Sequence, residues 1–198
     1  MHPEEEVWKT IDPADMWIMD KLILSKQMGY NCGPVGVRVD EPGYYIVRPA
    51  VNAIGLGLGA SIEYIENTTD HLTPGHFWCE IFVGRHLSVD YHYGLQVLCV
   101  EGFKHKDDDF VRWKEWKRTK DYVNRPSLIM PFLQKYEWVN CEYIDGKLIE
   151  VHLRHNVDFD GDVDHFIPVW KGESTVPPEG YTYREYPDVH GRIGAFVK

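Results

Sequence analysis

The chain has 198 residues, 43% hydrophobic and 14% aromatic, enough apolar material to bury a substantial core in one domain or two tightly joined lobes. A net charge of -10 excludes nonspecific wrapping of duplex nucleic acid as a main activity, because that binding depends on Lys and Arg neutralising phosphates. With no C-x-x-C among Cys32, Cys79, Cys99 and Cys141, no basic and apolar leader and no run near the ~18 apolar residues of a membrane span, a soluble, cytoplasmic protein with no membrane partner is expected, with neither zinc ribbon nor disulfide framework.

In chain order, Asp12-Pro13 opens a predicted helix that carries Met16, Ile18, Met19, Leu22 and Ile23 and ends near Gly29. A Gly- and Pro-rich connection follows over residues 30–42. Residues 44–49 read as a strand closed by Pro49, the glycine-rich run Gly55-Leu-Gly-Leu-Gly-Ala60 comes next, and residues 61–66 resume a strand. Residues 77–83 and 87–93, broken at Gly84, are expected to be a strand pair or one long bulged strand. Residues 104–120 form a charged stretch, the candidate for a local basic groove, with Trp113 and Trp116 spaced i, i+3. A helix is predicted over 127–136 behind Pro126. Beyond Asn156 the chain reads as irregular, and residues 181–198 are expected only to pack across the molecule.

Between these lies Asn140-Cys-Glu-Tyr-Ile-Asp-Gly-Lys-Leu-Ile-Glu-Val-His-Leu-Arg154, two short strands around the turn Asp145-Gly146. Side chains alternate faces along a strand, so the right register would gather Glu142, Glu150, His152 and Arg154 on one face. Carboxylates on rigid strands suit a hard cation such as Mg²⁺, and a guanidinium beside them suits an anionic substrate. A hairpin with one solvated charged face is the plainer alternative. Gly55, Gly57 and Gly59 form the second signal, since such a run lets backbone N–H groups approach a phosphate; it lacks the ending of a P-loop, and a flexible hairpin tip is the competing reading. Arg48, at the end of the preceding strand, is a permanent cation within reach of the same phosphates.

Strand, basic residue, glycine loop, a Glu-bearing strand and a carboxylate hairpin form an ordered series over residues 16–160, and in it the sequence resembles the ATP-grasp superfamily. The matching pieces are Asp20-Lys-Leu22 opening a helix, Tyr45-Ile-Val-Arg-Pro49, Gly55 to Ala60, Trp78-Cys-Glu-Ile-Phe-Val-Gly84 with Leu87-Ser-Val-Asp90, and the hairpin itself. The resemblance implies an α+β fold of two lobes, with mostly antiparallel sheets gripping nucleotide between them. Residues 1–75 would be the smaller lobe with the glycine loop, and 76–198 the larger, with the interlobe strand and the metal-binding hairpin. It further implies that Glu142 and Glu150 hold Mg²⁺, that Arg48, Gly55, Gly57 and Gly59 contact the phosphates, and that Glu80, Ile81 and Phe82 line the adenine pocket. The backbone and an acidic residue of the segment from Trp78 to Asp90 would hold adenine and ribose, Arg154 would stabilise the anion formed during transfer, and Arg48 would join it as a catalytic residue by offsetting negative charge in that step.

Two positions depart from the family pattern. Arg48 replaces a customary lysine, and His152 stands where an asparagine metal ligand is usual, which leaves three alternatives: Asn156 supplies the oxygen, Mn²⁺ is preferred, or metal binding is weakened. The implied activity is an ATP- and Mg-dependent carboxylate–amine ligase working through an acyl phosphate. Its partners would be nucleotide and a small-molecule or peptide carboxylate. The chain resembles the bare grasp cores of tailed phages, which would place it in the host cytoplasm. A catalytically inactive nucleotide-binding or virion-associated protein is the alternative. Replacing Glu150 by Gln is expected to relieve charge repulsion and leave the fold intact.

Three further features have structural readings beside functional ones. The aspartates of residues 158–164 suit a calcium ion or a solvated loop, but an EF-hand counted from Asp158 would need Gly and Glu where Val163 and Val169 stand. Trp113 and Trp116, beside Lys114, Lys117 and Arg118, suit base stacking or burial against a neighbouring helix. His71, His76, His86 and His92 lack zinc-protease spacing.

Overall fold

The structure, a computed structural model, describes residues 3–51, 56–106 and 110–198. It begins with α1 (Pro3–Thr10), which the sequence reading did not anticipate, followed by a 3-10 segment over Pro13–Met19 and α2 (Lys21–Gln27). The single helix expected from Asp12 to Gly29 is therefore two pieces. Asp20 divides them, because its carboxylate accepts from the backbone N–H of Leu22 at 2.9 Å and of Ile23 at 3.0 Å and so caps a new helix in place of continuing the old one.

Two sheets follow, with every strand pair antiparallel. The smaller contains β1 (Cys32–Pro34), β2 (Gly43–Pro49), β3 (Ser61–Ile65) and β4 (His76–Cys79), in the order β1-β4-β2-β3. The larger contains β5 (His86–His92), β6 (Leu95–Lys104), β7 (Trp113–Arg118), β8 (Trp138–Ile144), β9 (Lys147–His152), β10 (His165–Trp170), β11 (Thr182–Val189) and β12 (Arg192–Val197), in the order β11-β12-β10-β7-β6-β5-β8-β9. The predicted helix behind Pro126 is a 3-10 turn, Ser127–Ile129, leading into α3 (Met130–Lys135).

Three expectations are corrected. Residues 77–83 and 87–93 are neither a pair nor one bulged strand, for β4 and β5 belong to different sheets and the segment between them crosses from one to the other. The chain past Asn156 is not irregular: β10, β11 and β12 build one side of the large sheet. Trp113 and Trp116 stand on a strand, without a helix between them; Lys114 is an extra residue in the β6–β7 ladder, where Phe103 pairs with Glu115 and Lys104 with Trp113, and this bulge turns both rings to one side.

Alternation gives the large sheet two unlike faces. On one, Val89, Cys99, Cys141, Tyr143, Leu148 and Val151 pack against Ile11, Ile18, Leu24, Phe132 and Leu133 from the helices. On the other, Leu98 and Val100 pack against Phe159, Val163 and Phe166, and the polar residues of β5, β8 and β9 gather beside them. The small sheet has its own core of Val39, Tyr45, Val47, Ile65, Leu72 and Trp78. No helix among the described residues is long and apolar enough to cross a membrane.

Candidate functional site

The hairpin β8–β9 turns at Asp145 and Gly146, both with positive φ (49° and 77°), the two-residue turn whose twist matches that of its strands. The register places Glu142 opposite Glu150 and Asn140 opposite His152. One ligand atom each from Glu142, Glu150 and His152 lies within 4.8 Å of the others. The crossing segment is fastened to this hairpin: Asp145 N–H donates to the Arg85 carbonyl at 2.9 Å, and at Gly84 (φ 139°) a Cβ would stand 2.6 Å from that of Asp145. Any side chain at position 84 would push the two apart.

The charges are held in pairs. Glu150 accepts from Lys21 Nζ at 3.0 Å and lies 3.2 Å from His152 Nε2, and Lys21 is only 4% exposed. Burial alone would raise the Glu150 carboxyl pKa, but the Lys21 ammonium and the neighbouring His152 and Arg48 outweigh it and hold the group below the usual carboxylate range. Glu142 meets His86 Nε2 at 3.0 Å, and the His86 ring stands edge-on to Trp113 and Trp116 at 4.7 and 5.5 Å. Asp90 is buried beneath this face: it accepts from Asn140 Nδ2 at 2.8 Å and from Asn156 N–H at 2.9 Å, and desolvation raises its pKa despite those bonds.

A cleft of about 790 Å³ opens between the sheets, lined by residues of both. Lys21, Arg48, Glu142, Glu150, His152, Arg154 and Asn156 all border it, as do Glu80, Ile81 and Phe82 of the crossing segment and Gly57 of the glycine loop. Arg48 Nη2 donates to the Ile149 carbonyl at 3.2 Å, joining β2 to the hairpin, while its Nε is buried without a hydrogen-bond partner. Arg154 Nη1 donates to the His155 carbonyl at 3.0 Å. The Asn156 side chain is engaged at both ends, its Oδ1 accepting from Asp158 N–H at 3.0 Å to cap a turn and its Nδ2 donating to Ser88 Oγ at 3.2 Å. The Glu80 carboxylate is likewise engaged, accepting from Asn31 N–H at 2.9 Å, and the Phe82 ring packs edge-on to Tyr30 at 4.7 Å. Gly57 has φ 64°, and a Cβ there would collide with the Phe110 carbonyl, so the loop meets the β6–β7 connection this closely only as glycine. Gly59 (φ 76°) lies against Pro49 and His76, and Gly55 falls outside the described residues.

Sequence reasoning missed Lys21 and His86 as members of the site. His86 could have been found by alternation, since it shares its face with Ser88. Nothing local marks Lys21, whose partner is brought to it by the packing of α2 on β9. The basic stretch 104–120 is partly neutralised: Lys117 pairs with Glu115 at 3.1 Å and Arg118 with Asp164 at 3.0 Å. Asp158 pairs with Arg192 at 2.8 Å, so both ends of the acidic loop meet guanidinium groups.

No protein-family model matches the sequence, and neither does any curated protein. Solved structures do. An ATP-grasp superfamily protein from Archaeoglobus fulgidus superposes with a TM-score of 0.53 at 16% identity, over 92% of this chain and 64% of that one. The N5-carboxyaminoimidazole synthase of Aspergillus clavatus, solved in complex with ADP and 5-aminoimidazole ribonucleotide, superposes with a TM-score of 0.50 at 11% identity, over 98% of this chain and 72% of that one. The chain thus spans under two thirds of the archaeal protein's length. At these identities the likeness is one of fold, and the fold is ATP-grasp.

Proposed function

We propose that this ATP-grasp chain binds ATP with a divalent cation in the cleft and uses it to join a carboxylate to an amine or related nucleophile through an acyl phosphate. The observation that carries the reading is the convergence of Glu142, Glu150 and His152 within 4.8 Å on the wall of a cleft that both sheets line. Two carboxylates and an imidazole fit a divalent ion, the carboxylates suiting Mg²⁺ and the imidazole favouring Mn²⁺. The attraction of Glu150 for Lys21 and His152 shows how strongly that position draws positive charge. When bound, the metal would offset the charge of the nucleotide phosphates.

The chain's own residues supply the rest. Arg48 and Lys21 approach the phosphates from the small sheet and from α2, and Arg154 faces the transferred group. Glu80, Ile81 and Phe82 line the adenine site, and Gly57 and Gly59, with Gly55, let the loop lie close over the phosphates and exclude water. A substrate carboxylate oxygen attacks the γ-phosphorus as its bond to the β,γ-bridging oxygen breaks and ADP departs. The nucleophile then attacks the acyl carbon and releases phosphate. The substrate is a small-molecule or peptide carboxylate, and a cytoplasmic setting supplies the ATP.

Melting the protein with and without ATP and Mg²⁺ or Mn²⁺ tests the binding step. Ligand at 100 times its dissociation constant adds ~2.7 kcal/mol to stability, so no shift at millimolar nucleotide and metal refutes the proposal. ADP release across a panel of carboxylates and amines then tests catalysis; binding without turnover would favour the alternative of a nucleotide-binding protein without ligase activity.

A further inference from the structure

Among the described residues, two segments carry the chain between the sheets. Residues 28–31 lead from α2, which packs on β9, into β1, and residues 80–85 lead from β4 back to β5. They run side by side. Glu80 N–H donates to the Asn31 carbonyl at 2.8 Å, and Asn31 N–H returns a bond to the Glu80 side chain at 2.9 Å. One residue further into the small sheet, Cys32 stands directly opposite Cys79.

The backbone bond between residues 31 and 80 makes that pair the hydrogen-bonded one, so Cys32 and Cys79 form the adjacent non-hydrogen-bonded pair. In such a pair the Cα atoms of antiparallel strands are ~4.5 Å apart and the side chains make their closest approach. This is inside the ~4.4–6.8 Å that a disulfide spans. Each thiol acts on the other: the neighbouring Cys79 holds Cys32 below the ordinary thiol range, and Cys32 together with burial pushes Cys79 above it. Cys32 is half-buried, within reach of a small oxidant, and Cys79 is buried behind it. The other two cysteines have no such relation: Cys99 and Cys141 flank Val89 on opposite sides, two strands or ~9.6 Å apart.

We propose that Cys32 and Cys79 form a reversible disulfide that staples the two crossings together and restrains the small sheet against the large one. The Cys32 thiolate attacks one oxygen of a peroxide, giving a sulfenic acid and, with a proton, water. The Cys79 sulfur then attacks the Cys32 sulfur and expels the second oxygen as water, so that two thiols and one peroxide yield one disulfide and two waters. A small-molecule disulfide reaches the same product by exchange, and a dithiol reverses it. The staple rests on the crossings alone and stands whether or not the cleft takes nucleotide.

The test uses the full native chain treated with hydrogen peroxide or oxidised glutathione, then alkylated, digested and mapped by mass spectrometry. The expected product is a Cys32–Cys79 cross-linked peptide, with titratable thiols falling from four to two and returning to four with dithiothreitol. Hydrogen exchange should slow at residues 28–32 and 79–85 in the oxidised form. Cys32→Ser should show three thiols before and after mild oxidation, and Cys99→Ser should still form the link. Sulfinic acid at Cys32 beside a free Cys79, dimers through Cys32, a link that appears only in denaturant, or a native link that leaves exchange at the crossings unchanged would each overturn the proposal.

Discussion

The two faces of β5, β8 and β9 are built from alternating residues of the same strands and behave as different materials. On one, Val89 lies between Cys99 and Cys141 with Val151 beyond, all sealed beneath helices. On the other, Ser88 lies beside Glu142, which faces Glu150, and the next row is Asp90, Asn140 and His152. The first face holds by exclusion of water. The second holds by pairing, Glu150 with Lys21 and Asp90 with Asn140 and Asn156, so its polar groups are fixed in place by named partners. A one-residue slip of register would exchange the faces, which is why an apolar face this complete also fixes where the carboxylates point.

The largest effect should come from the sealed face. Leu148→Ala, at a fully buried position, is expected to lower stability by roughly 3–4 kcal/mol in urea denaturation. ATP affinity of the folded protein, titrated at a temperature where both forms are native, should stay the same. A variant that kept its stability and lost nucleotide binding would show that the two faces are not separable.

Next is Glu150→Gln, which strands the buried Lys21 ammonium. Removing one partner of an enclosed ion pair costs about 3–5 kcal/mol, and opening of this pair to the cleft should bring the loss nearer ~2 kcal/mol. The relief of repulsion expected from sequence is thus replaced by the loss of a partner. Lys21→Met combined with Glu150→Gln should restore most of the stability while metal-dependent nucleotide binding stays lost. If the double variant is no more stable than Glu150→Gln alone, the pair is not what holds this corner.

Acid titration sharpens the same point. The Glu150 carboxyl is held below its ordinary value in the folded state, so its contribution is complete above the unfolded value of ~4.3 and disappears as pH falls through the lower folded value. Asp12, Asp15, Asp121 and Glu115 are lowered too, so the acid limb of wild type alone does not report on Glu150. The difference between wild type and Glu150→Gln does: it should be constant from pH 7 to about 5 and shrink below that. A difference that grew on acidification would reverse the assigned sign.

The hairpin was legible in the sequence because Asp145-Gly146 dictates the turn and alternation dictates the faces. What escaped had identifiable causes. The strands beyond Asn156 carry two prolines, and the sheet accommodates both: β7 pairs with β10 only at His165 and Phe166, so Pro168 lies where no ladder N–H is required, and Pro187 sits in the irregularity between Glu185 and Val189. Periodicity alone ran one helix through Asp20, because a capping carboxylate is also a common surface residue, whereas the resemblance had Asp20-Lys21-Leu22 opening a helix, as α2 does. Order along the chain does not reveal which side of β5 Asn156 packs against, so the bond from Asn156 N–H that helps bury Asp90 left no trace in the sequence. Lys21 and Glu150 meet only because α2 folds onto the sheet edge, a contact with no local trace.

The smallest effect on folding, and the one that most divides the proposed chemistry from simple binding, belongs to Arg154. It borders the cleft just past His152, with Nη1 on the His155 carbonyl. Arg154→Lys keeps the charge and loses the planar fork, so stability should change by less than ~0.5 kcal/mol. If the guanidinium acts on charge that develops as the γ-phosphoryl moves, ATP affinity should hold within a few-fold while turnover falls roughly a hundredfold, the scale of losing one preorganised donor. ADP release at saturating ATP, with an acceptor found by screening, measures the second quantity, and calorimetric titration of ATP the first. Equal losses in both would instead make Arg154 a ground-state clamp, and the polar face of the large sheet would then bind the nucleotide without favouring its reaction.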